Sequence, residues 1–329
     1  MSLVAPTLQR FFTERLLRQR RASAHTVASY RDTIRLLLCY IQQATRKSPT
    51  QLDFDDLDAA RISAFLDHLE RERGAAIATR NARLAAVRSW FKFAALYHPE
   101  HATLIQRVLA IPSKRGDRAL VTFLTRAEIE ALLNSPDRQT RTGRRDHAML
   151  MLAIQTGLRV SELISLRKAD FDLGTGANVH CLGKGRKERR TPLAKPTVAV
   201  LRAWLSERGG GPNDTAFPGP NGAPLGRHAV YQLVSRHIVA AAKQCPSIAS
   251  KRVSPHVLRH TNAMLLRQAG VDLSSIALWL GHESPRTTQI YLHADLAEKE
   301  KTIARIIPLA TPAGRYRPPD ALLAFLETL

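Results

Sequence analysis

Apolar residues recur at helical spacing through most of this chain, and this periodicity restricts the possible fold more than any other feature. In residues 1–112 it predicts four helices, beginning at Thr7, Ser23, Asp58 and Thr79. The last of them is expected to stop at Pro99. Residues 169–193 depart from the pattern, because alternating residues and recurrent glycines there predict a short antiparallel sheet. The predicted fold class is multidomain, with an all-α helical bundle followed by a mixed α+β, mainly helical domain that contains a small antiparallel sheet.

A polar segment, PSKRGDRA at residues 112–119, separates the two regions and combines proline, glycine and four charged residues. We therefore predict a helical domain over residues 1–112, a linker over 113–120, a second domain over 121–310 and a tail over 311–329. The tail ends in an amphipathic helix that follows a proline pair. An apolar stripe of this kind suits a protein partner better than it suits water.

Net charge indicates the class of partner. The 329 residues carry a formal charge of +21, with +7 in residues 1–112 and +14 in residues 113–329. A cationic surface gains free energy by releasing the counterions of a polyanion. Two basic domains could bind double-stranded DNA between them. The alternative is a generally basic protein, as ribosomal and membrane-surface proteins are.

Three cysteines, Cys39, Cys181 and Cys245, lie far apart and form no CxxC pair. This usage fits a reducing compartment and argues against a disulfide framework or a zinc site. The charged N-terminal segment has no signal-peptide character, and the chain has no apolar run of about 18 residues. We expect a soluble, cytoplasmic, nucleoid-associated protein that needs no cofactor and no metal.

The stretch from Ser254 to Tyr291 carries the side chains with the clearest chemical potential. His256 and Arg259 are three residues apart, so a helix places them on one face. His282 follows a second predicted helix, and Tyr291 comes nine residues later. Arginine offers a fork of donors for phosphate oxygens, imidazole exchanges protons near neutral pH, and a phenol can form a covalent intermediate. These side chains could attack a phosphodiester without a metal, although each alone also fits a structural role.

Further candidates lie upstream. Arg159 follows a helix expected to end at Gly157, and a charge at such a junction needs a partner or a ligand. Glu162 is the expected partner, and a purely structural Arg–Glu pair is the alternative. Lys184 lies between two glycines, where a mobile cation could donate a proton to a leaving oxygen. Other cations are candidate DNA contacts or solvated charges: Arg80, Arg83, Arg88, Lys92, Lys187 and Arg189.

The chain resembles the tyrosine recombinase, or phage integrase, family in a set of motifs, namely TGLRVSEL, GKGRKER, HVLRHT and LGH, followed by Tyr291. The order and spacing match, and the tail resembles that of some transposon-type members; a chromosome-resolvase-like member is also compatible. The resemblance implies a two-domain clamp around DNA. It consists of a helical core-binding domain and a mixed α/β catalytic domain.

The resemblance also implies roles for the principal residues. Tyr291 would attack a DNA phosphate to give a 3′-phosphotyrosyl link and a free 5′-hydroxyl. Arg159 and Arg259 would hold the non-bridging oxygens. Lys184 would protonate the departing 5′-oxygen.

Three more roles follow from the same resemblance. His256 would be the acid/base partner of Tyr291, His282 would hydrogen-bond the phosphate, and Glu162 would orient the groups that touch it. Because a phosphotyrosine bond retains the energy of the phosphodiester, religation would need neither ATP nor a metal.

The expected function is site-specific recombination for integration, excision or transposition of a mobile element. The enzyme would act as a tetramer on two DNA sites, as a monomer or dimer before synapsis, with or without sister recombinases. Residues 320–329 would dock into a neighbouring protomer. Two alternatives stay open at this point: a monomeric type IB topoisomerase-like enzyme that relaxes DNA, and a non-catalytic DNA-binding protein.

Overall fold

The computed structural model describes residues 2–116, 121–183 and 188–281, together with Thr288 and Tyr291. Within these residues no helix combines the length and apolar character needed to cross a membrane. Several sequence predictions fall outside the described residues, namely those for Lys184, Lys187, His282 and the tail over 311–329.

The chain divides into two compact units, residues 1–118 and 119–329. The first unit is an α-helical bundle. Its helices are α1 (Val4–Arg10), α2 (Ala24–Thr45), α3 (Ala59–Arg71), α4 (Ile77–Ala94) and α5 (Ala102–Ala110), and a π-helical segment (Phe11–Gln19) continues α1. The Ser23 hydroxyl and the Asp58 carboxylate accept backbone N–H groups at the first turns of α2 and α3, as N-caps do.

The start of the first helix and the segment around Pro99 differ from the sequence prediction. The first helix begins at Val4, and the Thr7 hydroxyl is buried 2.7 Å from the His98 imidazole instead of capping the helix. The helix α5 was not expected, because Pro99 reads as a stop. In the structure α4 already ends at Ala94, and Pro99 opens a short 3₁₀ turn that leads into α5.

Arg80 on α4 faces the interior of its own unit. Its side chain is 5% exposed, its Nε lies 3.3 Å from the Glu70 carboxylate, and its Nη1 donates to the Pro112 carbonyl at 3.0 Å. A buried guanidinium needs such partners. Arg80 therefore holds the end of its own unit against α4, and its contact with DNA stays a prediction.

Arg88 lies about two helical turns after Arg80 on α4 and also binds the segment that follows α5. Its guanidinium donates to the Ile111 carbonyl and to the Ser113 hydroxyl. Arg83 is half-buried and Lys92 is exposed. For Arg83, Arg88 and Lys92 a role in DNA binding stays a prediction.

The second unit is mainly helical and contains one small sheet. Its helices are α6 (Arg126–Asn134), α7 (Arg141–Thr156), α8 (Val160–Ser165), α9 (Lys195–Arg208), α10 (Arg227–Ala241), α11 (Pro255–Gln268) and α12 (Leu273–Leu280). The strands are β1 (Phe171–Asp172), β2 (Asn178–Leu182) and β3 (Glu188–Pro192). The predicted fold class is confirmed, since a helical bundle is followed by a helical domain with a three-stranded antiparallel sheet.

The sheet has the order β1-β2-β3, and Val179 of β2 pairs with Thr191 of β3. Val179 and Thr191 are both buried, so this face of the sheet lies against the core. Residues two apart on a strand share a face, and Arg189 therefore lies on the same side as Thr191. This places one arginine of β3 towards the interior of the unit.

The junction between α7 and α8 packs closely against α11 and α12. Gly157 ends α7 in the left-handed conformation, with φ +62°. A Cβ at this position would lie 2.6 Å from Leu280 Cδ2 and 2.8 Å from Asn262 Oδ1. Only glycine fits both the backbone angle and the close approach of α11 and α12.

Gly157→Ala is expected to lower the free energy of unfolding by about 3 kcal/mol, from left-handed strain together with overpacking. Gly176→Ala is the matched control, because Gly176 has φ +75° and no atom within 4 Å of a built Cβ. The control should lose about 1 kcal/mol. Urea unfolding of both variants measures the difference, and equal losses would show that the contact with Leu280 and Asn262 contributes nothing.

Candidate active site

Arg159 is the N-cap residue of α8 and lies in the short connection between α7 and α8. Its Nη1 donates to one oxygen of Glu162 at 2.8 Å, and its backbone N–H donates to the other oxygen at 2.7 Å. The Glu162 side chain is 3% exposed. The contact expected between these two residues is present, and Glu162 orients the Arg159 guanidinium.

Arg189 of β3 binds the same carboxylate. Its two terminal nitrogens lie 3.2 and 2.8 Å from the two oxygens of Glu162, and its side chain is 12% exposed. Burial tends to raise the pKa of Glu162, but the hydrogen bonds and charges of Arg189 and Arg159 outweigh it and hold the pKa below its usual range. The two terminal nitrogens of Arg189 thus face a buried carboxylate in the DNA-free protein, and contact of Arg189 with DNA stays a prediction.

Arg259 lies on α11 and is 2% exposed. Its terminal nitrogens donate to the Gly157 carbonyl at 2.6 Å and to the Leu280 carbonyl at 2.7 Å. Arg159 donates to the next carbonyl, that of Gly281, at 3.0 Å. The end of α12 therefore holds both guanidinium groups, as the negative end of a helix does for cations.

Burial, and then the charge of Arg159, lower the pKa of Arg259 to about 10, so the group stays cationic at neutral pH. The two arginines interact unfavourably with each other, and Glu162 compensates only part of their charge. Such an arrangement favours an anion with several oxygens, for which guanidinium forks are well suited.

Tyr291 is 1% exposed, and its hydroxyl lies 2.8 Å from Nδ1 of His260. The His260 ring is in edge contact with that of His256, with ring centroids 4.4 Å apart. The role of acid/base partner predicted from the sequence belongs to His256 and does not include His260. A signal was available, because His260 follows Arg259 directly and lies one helical turn after His256.

The electrostatics of this group keep its members neutral. Burial raises the pKa of Tyr291 to about 12, and the charge of Arg259 offsets only part of that effect. Burial, His256 and Arg259 together lower the pKa of His260 to about 4. Loss of hydration, together with the charges of Arg259 and Arg159, also lowers the pKa of His256. At neutral pH the pair is thus a neutral phenol hydrogen-bonded to a neutral imidazole.

A stability difference with pH follows from His260. Its pKa is about 4 in the folded chain and 6.5 ordinarily, so between these values the unfolded chain binds a proton that the folded chain does not. Stability attributable to His260 is complete above pH 6.5 and falls as the pH is lowered towards 4. Between pH 7.5 and pH 4.5 we expect the wild type to lose about 2 kcal/mol more than His260→Gln. Urea titrations at both pH values test this, and parallel losses in the two proteins would contradict it.

The structure thus brings together four residues predicted as parts of the site, Arg159, Glu162, Arg259 and Tyr291, and places His256 beside them. His282 and Lys184 lie outside the described residues. Their chain neighbours are nevertheless anchored at the site, since Gly281 accepts from Arg159 and β3 is bound to Glu162 through Arg189. The catalytic roles of all these residues stay predictions.

Two family models match the chain. The model of the phage integrase family matches residues 122–298, and the model of the phage integrase N-terminal SAM-like domain matches residues 9–97. Together the two matches span both units of the structure.

Individual relatives give the same picture. A protein of Sinorhizobium fredii NGR234 named "Putative integrase/recombinase y4rC" is 53% identical over 326 residues, which is 99% of this chain and 98% of that protein. The tyrosine recombinase XerC of Xanthomonas campestris pv. campestris B100 is 33% identical over 93% of this chain and 88% of its own length. Among solved structures, the XerH site-specific recombinase bound to palindromic difH substrate, in a post-cleavage complex, aligns with a TM-score of 0.70 at 25% identity, covering 87% of this chain and 81% of that one.

Proposed function

Because this chain belongs to the phage integrase family and is a tyrosine recombinase, we propose that it cleaves and rejoins DNA strands at specific sites through a covalent link to Tyr291. The observation that carries the proposal is the Tyr291 hydroxyl, held 2.8 Å from His260 in a group that also contains the buried Arg259. A nucleophile, a base beside it and cations for the phosphate oxygens are the groups that transesterification requires.

In the proposed reaction the Tyr291 oxygen attacks the phosphorus, and the bond from phosphorus to the 5′-oxygen breaks. The products are a 3′-phosphotyrosyl link and a 5′-hydroxyl, and one phosphoester bond has replaced another. Attack by the 5′-hydroxyl of a second strand reverses the step and releases Tyr291. Arg159 and Arg259 stabilise the charge that develops on the non-bridging oxygens.

The phenol must lose its proton as it attacks, and we assign the first acceptor to His260, with His256 beside it. In the DNA-free protein the pKa values oppose this transfer, since that of Tyr291 is about 12 and that of His260 about 4. A phosphate anion between the guanidinium groups would offset the field of Arg259, which is one cause of the low pKa of His260. The same anion would weaken the field of Arg259 at Tyr291, so both pKa values rise and the phenol loses its proton as its bond to phosphorus forms. Lys184 stays the proposed donor to the 5′-oxygen, and His282 a proposed phosphate contact.

The partner proposed is double-stranded DNA, bound by a tetramer across two sites. The net charge of +21 supports DNA as partner, and the XerH structure above is a complex with its difH substrate. The relative named integrase/recombinase supports a role in integration, excision or transposition of a mobile element. Docking of residues 320–329 into a neighbouring protomer and a cytoplasmic, nucleoid-associated location belong to the same proposal.

Covalent capture on the DNA that flanks the gene tests this function. The purified protein is incubated with a fragment library carrying nicks that prevent religation, and covalent complexes are sequenced at the bound end. Capture at one phosphate in a repeated sequence supports a recombinase. Relaxation of any supercoiled plasmid by a monomer, without joined products, would support the topoisomerase-like alternative, which the recombinase relatives do not favour. Binding without capture would leave a DNA-binding protein.

A further inference from the structure

Arg159, Glu162 and Arg189 form a triad of charged side chains around the start of α8. Glu162 accepts four hydrogen bonds there: two from Arg189, and one each from the side chain and backbone of Arg159. The Glu162 side chain is 3% exposed and that of Arg189 12% exposed, so water weakens these interactions little. Arg189 thus supplies half of the hydrogen bonds to the carboxylate that also binds Arg159.

The net charge of this triad determines how strongly Arg159 attracts a phosphate. Arg159 and Glu162 alone would sum to zero, and the carboxylate would cancel most of the field of the guanidinium. With Arg189 the triad carries +1, because the charge of Glu162 is shared between two guanidinium groups. Arg189 therefore leaves Arg159 with a net attraction for an anion.

Arg189 also touches the end of α12. A Cβ built on Gly281 would lie 2.7 Å from Nη1 of Arg189, and the Gly281 carbonyl accepts from Arg159. The Arg189 guanidinium is consequently packed between the Glu162 carboxylate and the backbone that Arg159 binds. Displacement of Arg189 would disturb both contacts that orient Arg159.

We propose that Arg189 is a positioning residue for strand cleavage, which acts through Glu162 to hold Arg159 in place and cationic. Arg189 itself does not contact the DNA. The inference deepens the proposed function and rests on it.

Arg189→Gln is the test variant, and Arg190→Gln is its matched control. Arg190 is the next residue of β3, lies on the opposite face and is exposed, so both substitutions remove one positive charge from the same strand. We expect Arg189→Gln to form the covalent complex about 100-fold more slowly than Arg190→Gln in single turnover, with DNA affinity within about threefold. Equal rates for the two variants would overturn the proposal.

A substrate with a methylphosphonate at the scissile position separates positioning of Arg159 from a general structural defect. The methyl group replaces a non-bridging oxygen and removes the charge that Arg159 neutralises. The defect of Arg189→Gln should shrink from about 100-fold to about 10-fold or less on this substrate, as should that of Arg159→Ala. An undiminished defect of Arg189→Gln beside a diminished one of Arg159→Ala would overturn the proposal.

Two further variants keep the test decisive if Arg189→Gln folds poorly. Arg189→Lys restores the charge without the fork and should be about 10-fold faster than Arg189→Gln, or about 10-fold slower than wild type if Arg189→Gln cannot be purified. The double variant Glu162→Gln/Arg189→Gln should be no slower than the slower single variant, because the two residues act as one unit. Multiplied defects would overturn the proposal. A wild-type protein that forms no covalent complex would instead overturn the proposed function.

Discussion

Tyr291→Phe should abolish covalent capture of DNA, by at least about 1,000-fold, because the substitution removes the attacking oxygen. The ring would keep its packing in the buried cluster around α11 and α12. The lost hydrogen bond to His260 should lower the free energy of unfolding by about 1 kcal/mol. DNA affinity should stay within about twofold, as measured by titration under conditions of no cleavage.

Tyr231→Phe is the matched control for the loss of a phenolic oxygen. Tyr231 lies on α10, is 46% exposed and belongs to the same unit of the chain. This control should form covalent complexes at the wild-type rate in a gel assay. Capture by Tyr291→Phe at the rate of Tyr231→Phe would refute the assignment of the nucleophile.

Arg259→Lys should slow strand cleavage by about 100- to 1,000-fold although it keeps the positive charge. The guanidinium donates to the carbonyls of Gly157 and Leu280, which lie at the C-terminal ends of α7 and α12. A lysine ammonium cannot reproduce that fork and still face a phosphate. One buried carbonyl would be left without its donor, so the free energy of unfolding should also fall by about 2 kcal/mol.

Arg126→Lys controls for the exchange of arginine for lysine. Arg126 is 91% exposed at the start of α6 and pairs with Glu130 one turn later. Single-turnover cleavage and urea unfolding of both variants are compared with wild type. An Arg259→Lys protein that cleaves as fast as Arg126→Lys would show that the fork geometry of Arg259 is dispensable.

Much of the fold was predictable because its signals are local. The cap at Ser23 is a hydrogen bond to a residue three positions away, and the end of α7 at Gly157 depends on one backbone angle. Local patterns failed where one residue has two uses. Pro99 reads as a stop for the helix before it but in the structure opens the turn into α5, and Arg80 fits a solvated helix face as well as a buried ion pair.

The site was predictable in its parts and not in its connections. The types and spacing of Arg159, Arg259 and Tyr291 indicated phosphate chemistry. No pattern along the chain paired His260 with Tyr291 across 31 residues, or Arg189 with Glu162 across 27. Such pairs depend on which face of α11 or β3 is buried, and that is decided by packing against other elements.

The sequence by itself determined the class of fold and the chemical groups available, because periodicity, caps and residue types act over a few positions. Only the tertiary structure decided which charges meet. It buried Arg80 and Arg189 against carboxylates, and it set Arg259 between carbonyls that are distant in the chain. The physical reason is that a buried charge or donor must find its partner in space, and the chain order does not say where that partner lies.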